Sequence, residues 1–105
     1  EGTDFDTVFC LNDLAAVGLV AALEENDMLA QVDVYGVDGS PDAKAMIHEG
    51  MMSATAAQFP SEIGSRAADA IYRLLSGESV EKMTLTPVQL ITPDNVEEFG
   101  MDRWQ

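Results

Sequence analysis

The stretch Asp33-Val34-Tyr35-Gly36-Val37-Asp38-Gly39-Ser40-Pro41 decides the fold prediction for this chain. Its first half is a short apolar run, which predicts a buried strand with a glycine that permits close backbone approach. Its second half has the residue types of a turn and a helix start, with Ser40 as an N-cap residue and Pro41 at the first helical position. The stretch therefore predicts a strand that turns directly into a helix, with the carboxylate of Asp38 between them.

The same alternation of strand and helix runs through the rest of the chain. Strands are predicted at 7–11, 34–37 and 52–57, followed by an extended segment at 83–91. Helices are predicted at 14–25, from 41 to about 49 and from about 61 to 76. Pro87 restricts the extended segment to a sheet edge or a crossing, because proline cannot donate to a sheet ladder. This order predicts an α/β fold, a parallel sheet with flanking helices.

Two of the predicted helices carry different apolar patterns. The helix at 14–25 is apolar almost all round, so we expect it to be buried on more than one side. The helix at 61–76 has a single apolar stripe, formed by Ile63, Ala67, Ile71, Leu74 and Leu75. Three helices over four strands give thin cover for a sheet that usually has helices on both faces.

The composition limits the classes of partner. The chain has 105 residues, 19 acidic against 5 basic, and a formal net charge of −14. Phosphate backbones and anionic lipid surfaces repel such a chain, so we expect no nucleic-acid partner and no role at a membrane surface. The single cysteine, Cys10, allows no internal disulfide, and its apolar neighbours predict a packed core thiol rather than a nucleophile. The acidic N-terminus has no secretion-signal character and resembles a linker that leads into a strand.

Polar side chains follow the first three predicted strands: Asn12, Asp38 and Gln58. The carboxyl ends of parallel strands meet at one edge of a sheet, where ligands of open α/β sheets bind. Two amides and one carboxylate suit a neutral polyhydroxyl ligand, because its hydroxyls both donate and accept hydrogen bonds. The alternative is that Asn12 and Asp38 cap helices or support turns, and that Gln58 is a turn residue ahead of Pro60.

Signals of catalysis, metal binding and cofactor binding are missing from the sequence. One histidine, His48, and one cysteine make no metal-ligand pair, and the carboxylates near Asp38 lack calcium-loop spacing. There is no glycine-rich phosphate loop and no nucleophile elbow. We therefore expect no metal, no cofactor and no enzymatic activity.

Four segments of the chain, in order, resemble the C-terminal part of periplasmic sugar-binding proteins of the ribose- and galactose-binding type. They are Phe9-Cys10-Leu11-Asn12-Asp13, Tyr35-Gly36-Val37-Asp38-Gly39-Ser40-Pro41-Asp42, Ala54-Thr55-Ala56-Ala57-Gln58-Phe59-Pro60 and Leu90-Ile91-Thr92-Pro93-Asp94-Asn95-Val96-Glu97-Glu98-Phe99. The resemblance implies a fragment of a two-lobed fold that closes on a sugar. It also implies that Asn12, Asp38 and Gln58 bind sugar hydroxyls from the C-terminal lobe. Val37 matches a position where ribose binders often have an aromatic ring, so the sugar is left open.

The resemblance also predicts how the chain is divided between the lobes. Residues 1–58 are expected to form the second half of the C-terminal lobe, 59–86 to belong to the N-terminal lobe and 87–105 to return to the C-terminal lobe. The chain is expected to be less than half of such a protein, without its signal peptide, most of the N-terminal lobe and the first part of the C-terminal lobe. Such a fragment is expected to cover its apolar surface by self-association, with the third helix exchanged between copies.

The leading function is the solute receptor of an ABC-type importer, which binds a monosaccharide and presents its closed form to a membrane permease. Its location would be periplasmic or extracellular, with a lipid anchor in a Gram-positive host. The runner-up is the sugar-sensing domain of a transcription regulator, which has the same fold. A third possibility is a flavodoxin-like enzyme with Asp38 as a phosphoacceptor, but the chain lacks the neighbouring acids and the late lysine of such a site.

Overall fold

The computed structural model describes residues 4–105, which contain a four-stranded sheet. The strands are β1 (Thr7–Phe9), β2 (Asp33–Asp38), β3 (Ala54–Ala57) and β4 (Gln89–Ile91), in the spatial order β1-β2-β3-β4. β1, β2 and β3 are parallel, and β4 runs antiparallel to β3 at the edge. The predicted α/β fold is confirmed, and only β4 departs from the parallel direction. β4 is also shorter than the predicted extended segment and begins two residues after Pro87.

Three α-helices connect or follow these strands: α1 (Asp13–Glu25), α2 (Pro41–His48) and α3 (Pro60–Leu75). Short 3₁₀ turns lie at Leu29–Gln31 and Val96–Glu98. As the sequence predicts, Ser40 caps α2 and its side chain accepts a hydrogen bond from the backbone N of Ala43. α1 and α2 contact each other and pack on β2 and β3. The core residues include Ala16, Val20, Leu23, Val34, Ala43, Ile47, Ala57, Ile91 and Val96.

The expectation for α1 is wrong: this helix is buried on one side only. Its buried residues are Asp13, Ala16, Val20 and Leu23, whereas Leu14 is 81% exposed. Phe9 on β1 and Leu90 on β4 are also exposed. Residues 4–105 contain no second layer over these side chains. α1 therefore has more apolar residues than this part of the chain buries.

α3 and the loop after it form an arm, defined here as residues 59–86; the body is residues 4–58 and 87–105. No residue of α3 is buried, and its apolar stripe includes Ile63, Ile71 and Leu74, all exposed. Arg66 ties the helix to the extended segment by donating to the carbonyl oxygen of Leu85 at 3.1 Å. The radius of gyration is 17.5 Å, against about 13 Å for a compact chain of this length. The arm therefore extends away from the sheet.

The C-terminal tail, residues 92–105, packs against the rest of the body through Val96, Phe99 and Met101. Beneath it lies Lys44, a fully buried side chain whose Nζ donates to the carbonyl oxygens of Gly100 at 2.6 Å and Arg103 at 2.5 Å. Burial lowers the pKa of Lys44, although the charge of Asp102 opposes this shift. Lys44 thus links the tail to α2, although lysine is a residue type expected on the surface.

Cys10 is a buried free thiol within the core, as predicted. Its burial raises its pKa and so keeps the thiol protonated. This state agrees with a packing role.

Candidate functional site

The candidate site lies at the carboxyl edge of the three parallel strands, and Asp38 is its central residue. Asp38 ends β2 with a backbone φ of 126°, and Gly39 follows with a φ of 79°. Positive φ is easy for glycine but costs a non-glycine residue about 1–3 kcal/mol, so it persists only where the surroundings hold it. A Cβ at Gly39 would clash with Ala57 and with the side chain of Gln105. The turn is therefore both strained and tightly enclosed.

Gln58 is brought directly to Asp38 by the pairing of β2 with β3. Its Nε2 donates to Asp38 Oδ1 at 2.7 Å, and its backbone N donates to the carbonyl oxygen of Asp38 at 3.0 Å. Asp38 is half-buried and Gln58 is exposed. The side-chain hydrogen bond orients the carboxylate of Asp38. It uses Oδ1 and does not involve Oδ2. Capping of α2 falls to Ser40, so the capping alternative does not apply to Asp38.

Asn12 follows β1, the neighbour of β2, and so belongs to the same edge of the sheet. Its Oδ1 accepts a hydrogen bond from the backbone N of Ala15 at 2.8 Å, which makes Asn12 the N-cap of α1. The capping alternative therefore holds for Asn12. The cap uses the amide oxygen and fixes the side chain, while the amide N–H donors are outside that bond.

A buried polar cluster supports the turn from the helix-covered face of the sheet. Asp13 is 2% exposed, and its Oδ1 accepts from Thr55 Oγ1 at 2.6 Å. Its Oδ2 accepts from the backbone N of Ser40 at 2.7 Å. Thr55 Oγ1 in turn accepts from the backbone N of Gly39 at 3.2 Å. Gly36 makes room for this cluster, because a Cβ there would collide with Asp13 Oδ1.

Gln105 approaches the same turn from the C-terminal tail. Its Nε2 donates to the backbone carbonyl oxygens of Asp38, at 3.0 Å, and of Gln58. The two bonds connect the ends of β2 and β3 through one side chain. Gln105 therefore fixes the backbone of Asp38 and Gln58, the two candidate ligand-binding residues that it contacts.

Sequence reasoning missed the supporting residues Asp13, Thr55 and Gln105. A signal for Thr55 was present, since it is the one polar residue in the buried run Ala54–Ala57. Asp13 carried a weaker signal as an acid beside the helix cap Asn12. Gln105 carried none, because its two partners lie 67 and 47 positions earlier in the chain.

The chemistry at this edge is that of hydrogen bonding. Across residues 4–105, no three histidine, cysteine or acidic side chains come together to form a metal cluster. None of the helices described in that range is long and apolar enough to cross a bilayer. His48 is exposed on α2, with Nδ1 3.8 Å from Glu97 Oε1.

Comparison with known proteins gives consistent matches over most of the chain. Residues 1–79 match the family described as the periplasmic binding protein domain. The ribose import binding protein of Salmonella typhimurium is 34% identical over 88 residues, which are 84% of this chain and 29% of that protein.

Solved structures give the same result. An ABC transporter solute binding protein from Bacillus halodurans with bound myo-inositol is 35% identical, with a TM-score of 0.83 over 91% of this chain and 33% of that one. The Caulobacter myo-inositol binding protein bound to myo-inositol is also 35% identical, with a TM-score of 0.75 over 89% of this chain and 32% of that one. The chain thus spans about a third of the length of these relatives. With three quarters of its residues matched by the family, and with the strand-edge geometry above, the chain belongs to the periplasmic binding protein family.

Proposed function

We propose that this chain is part of the solute receptor of an ABC-type sugar importer and forms one wall of its binding site. The observation that carries this proposal is the Asp38–Gln58 pair, held at the carboxyl edge of a parallel sheet by a strained turn. A carboxylate oriented by a neighbouring amide can accept hydrogen bonds from ligand hydroxyls, and such charge-assisted bonds are stronger than neutral ones. Asn12 lies on the same edge and adds amide donors.

The ligand class that fits this wall is a neutral polyhydroxylated ring. The monosaccharide prediction agrees with the name of the ribose-binding relative. A cyclitol is the second candidate, because two of the solved structures, each 35% identical to this chain, hold myo-inositol. Val37 beside Asp38 offers a small aliphatic surface to either ring. The two ligands differ in the ring oxygen, which a cyclitol lacks.

Asp38→Ala in the longer protein that carries this chain tests the assignment. We expect its affinity for the sugar to fall by about 30- to 900-fold, equivalent to about 2–4 kcal/mol for two charge-assisted hydrogen bonds. Titration calorimetry with D-ribose, D-allose and myo-inositol measures the effect and ranks the ligands. Asp42→Ala is the matched control, since Asp42 is an exposed acid in the first turn of α2 and its loss changes the net charge equally. Equal affinities of wild type and Asp38→Ala would remove Asp38 from the site.

The division between two lobes is also part of the proposal. Residues 1–58 and 87–105 are assigned to the C-terminal lobe, and residues 59–86 to the N-terminal lobe. The exposed apolar stripe of α3 and the extension of the arm support this assignment. In the longer protein the rest of the N-terminal lobe would cover the stripe. For the 105-residue chain by itself, we propose self-association through the same stripe, with α3 exchanged between copies.

The proposed partners are a monosaccharide or cyclitol and the membrane permease of the importer. The proposed location is the periplasm or, in a Gram-positive host, the outside of the cell, where the protein would be lipid-anchored. The net charge of −14 opposes a nucleic-acid partner for this chain. The relatives named above are binding and transport proteins, which supports a function in binding rather than catalysis. Their names also favour the transport receptor over the sugar-sensing domain of a transcription regulator.

A further inference from the structure

Asp38 has a backbone conformation that its own residue type does not favour. Its φ of 126° lies in a region that L side chains rarely adopt, and such strain persists only where neighbouring contacts over-determine the backbone. The direction of the Asp38 carboxylate depends on this conformation. The contacts that impose it therefore help to set the geometry of the proposed ligand-binding edge.

Thr55 is the connection between the strained turn and the buried part of the molecule. It lies on β3, fully buried, opposite Gly36 of β2. Its hydroxyl donates to Asp13 Oδ1 at 2.6 Å and accepts from the backbone N of Gly39 at 3.2 Å. The first bond fixes the direction of the hydroxyl proton, so that a lone pair faces the amide that follows Asp38.

Asp13 holds the other side of this arrangement. It is the first residue of α1, where a carboxylate is favoured by the helix dipole, and its Oδ2 accepts from the backbone N of Ser40 at 2.7 Å. Gly39 and Ser40, the two residues that follow Asp38, are thus both tied through their amides to one buried pair. A carboxylate as buried as Asp13 requires such partners.

We propose that Thr55, oriented by Asp13, is a positioning residue for the ligand-binding carboxylate of Asp38. It does not touch the ligand. It fixes the Gly39 amide and so keeps the Asp38 backbone at positive φ, with the carboxylate aimed along the strand edge. This proposal rests on the proposed function for the role of Asp38, whereas the link between Thr55 and the turn stands on the structure of this chain.

Three variants distinguish a positioning role of Thr55 from a packing role. Thr55→Val keeps the shape of the side chain and removes the hydroxyl, whereas Thr55→Ser keeps the hydroxyl and removes a methyl group. Thr92→Val is the control, because Thr92 is half-buried just after β4 and makes its hydrogen bonds with Asn95 and Val96 through backbone atoms. Both substitutions at Thr55 are expected to lower stability, so stability by itself does not distinguish the two roles.

Ligand affinity distinguishes them. In the longer protein, titration with D-ribose, D-allose and myo-inositol is expected to show about tenfold weaker binding for Thr55→Val, and near wild-type binding for Thr55→Ser and Thr92→Val. If the affinities of the two Thr55 variants instead follow their losses in stability, the residue has a packing role and the proposal is overturned.

Amide hydrogen exchange on the 105-residue chain gives a readout that needs no ligand. Exchange at Gly39 and Ser40 is expected to accelerate in Thr55→Val relative to Thr92→Val, while the core amides of Val20 and Ile47 keep their relative protection. Unchanged protection at Gly39 would overturn the proposal even if sugars bind. Absence of sugar binding by the wild-type longer protein, together with accelerated exchange at Gly39, would refute the proposed function and retain the link between Thr55 and the turn.

Discussion

The body and the arm follow the same local rules of helix formation but differ in what their apolar residues contact. In the body, α2 buries Ala43 and Ile47 completely against the sheet. In the arm, α3 is longer and more clearly amphipathic, yet Ile71 remains 57% exposed and no residue of the helix is buried. An amphipathic pattern thus indicates that a face is made to be covered. It does not indicate which chain covers it.

The largest expected difference between the two regions is in the cost of removing an isoleucine. Ile47→Ala creates a cavity in the core and is expected to lower the free energy of unfolding by about 2–5 kcal/mol. Ile71→Ala removes side-chain atoms that are already largely in water, and is expected to change it by less than about 0.5 kcal/mol in the dilute chain. Urea unfolding of both variants measures the contrast. Equal losses would mean that the stripe of α3 is covered in solution.

Self-association of the chain is tested with the wild type and Ile71→Ala. Light scattering at increasing protein concentration is expected to show a rising mass for the wild type and a weaker rise for Ile71→Ala. A wild-type chain that stays monomeric at high concentration would contradict the exchange of α3 between copies. The proposed N-terminal lobe would then be left as the surface that covers the stripe of α3.

Glycine-to-alanine substitutions in the body and in the arm are expected to have smaller effects on stability, with opposite signs. A Cβ at Gly36 in the body would meet Asp13 Oδ1 and lie 3.1 Å from Met52 Cε. Gly36→Ala is therefore expected to destabilise the chain by about 1–3 kcal/mol. A Cβ at Gly64, within α3, meets nothing within 4 Å, so Gly64→Ala is expected to stabilise by about 0.5–1 kcal/mol through helix propensity. Thermal or urea unfolding gives both values, and stabilisation by Gly36→Ala would contradict the buried Asp13–Thr55 cluster.

Much of the fold could be predicted because its signals are local. The Ser40-Pro41 helix start and the alternation of apolar strands with helices are encoded within a few residues, and the structure has them where the sequence places them. The burial of α1 on one side only could not be predicted, because it depends on which elements pack over the helix and not on its own composition. The reversal of β4 depends on the path of the arm, which no local pattern specifies.

The candidate site also has features that local sequence predicts and features that it does not. Asn12, Asp38 and Gln58 were predictable because each follows a strand end, and the edge of a parallel sheet brings strand ends together. The positive φ of Asp38 and the supports from Thr55 and Gln105 arise from contacts distant in sequence. The ligand-binding roles of the three residues stay a prediction, and the calorimetry proposed for Asp38 addresses the central one.

The smallest expected effect concerns Lys44, which belongs to the body, and it depends on pH. Burial lowers the pKa of Lys44 below its usual value of 10.5, which the unfolded chain retains. Between the lowered pKa and 10.5 the unfolded chain binds more protons, so the free energy of unfolding gains a positive slope with pH. At pH values well below the lowered pKa both states are protonated and this slope vanishes. Lys44→Met is expected to abolish the alkaline slope, whereas Lys82→Met, at an exposed position in the arm, is expected to retain it. Urea unfolding of wild type and both variants from neutral pH to 10.5 measures the difference. Parallel plots of unfolding free energy against pH for wild type and Lys44→Met would contradict the lowered pKa. They would show that the carbonyl oxygens of Gly100 and Arg103 fully compensate the buried ammonium.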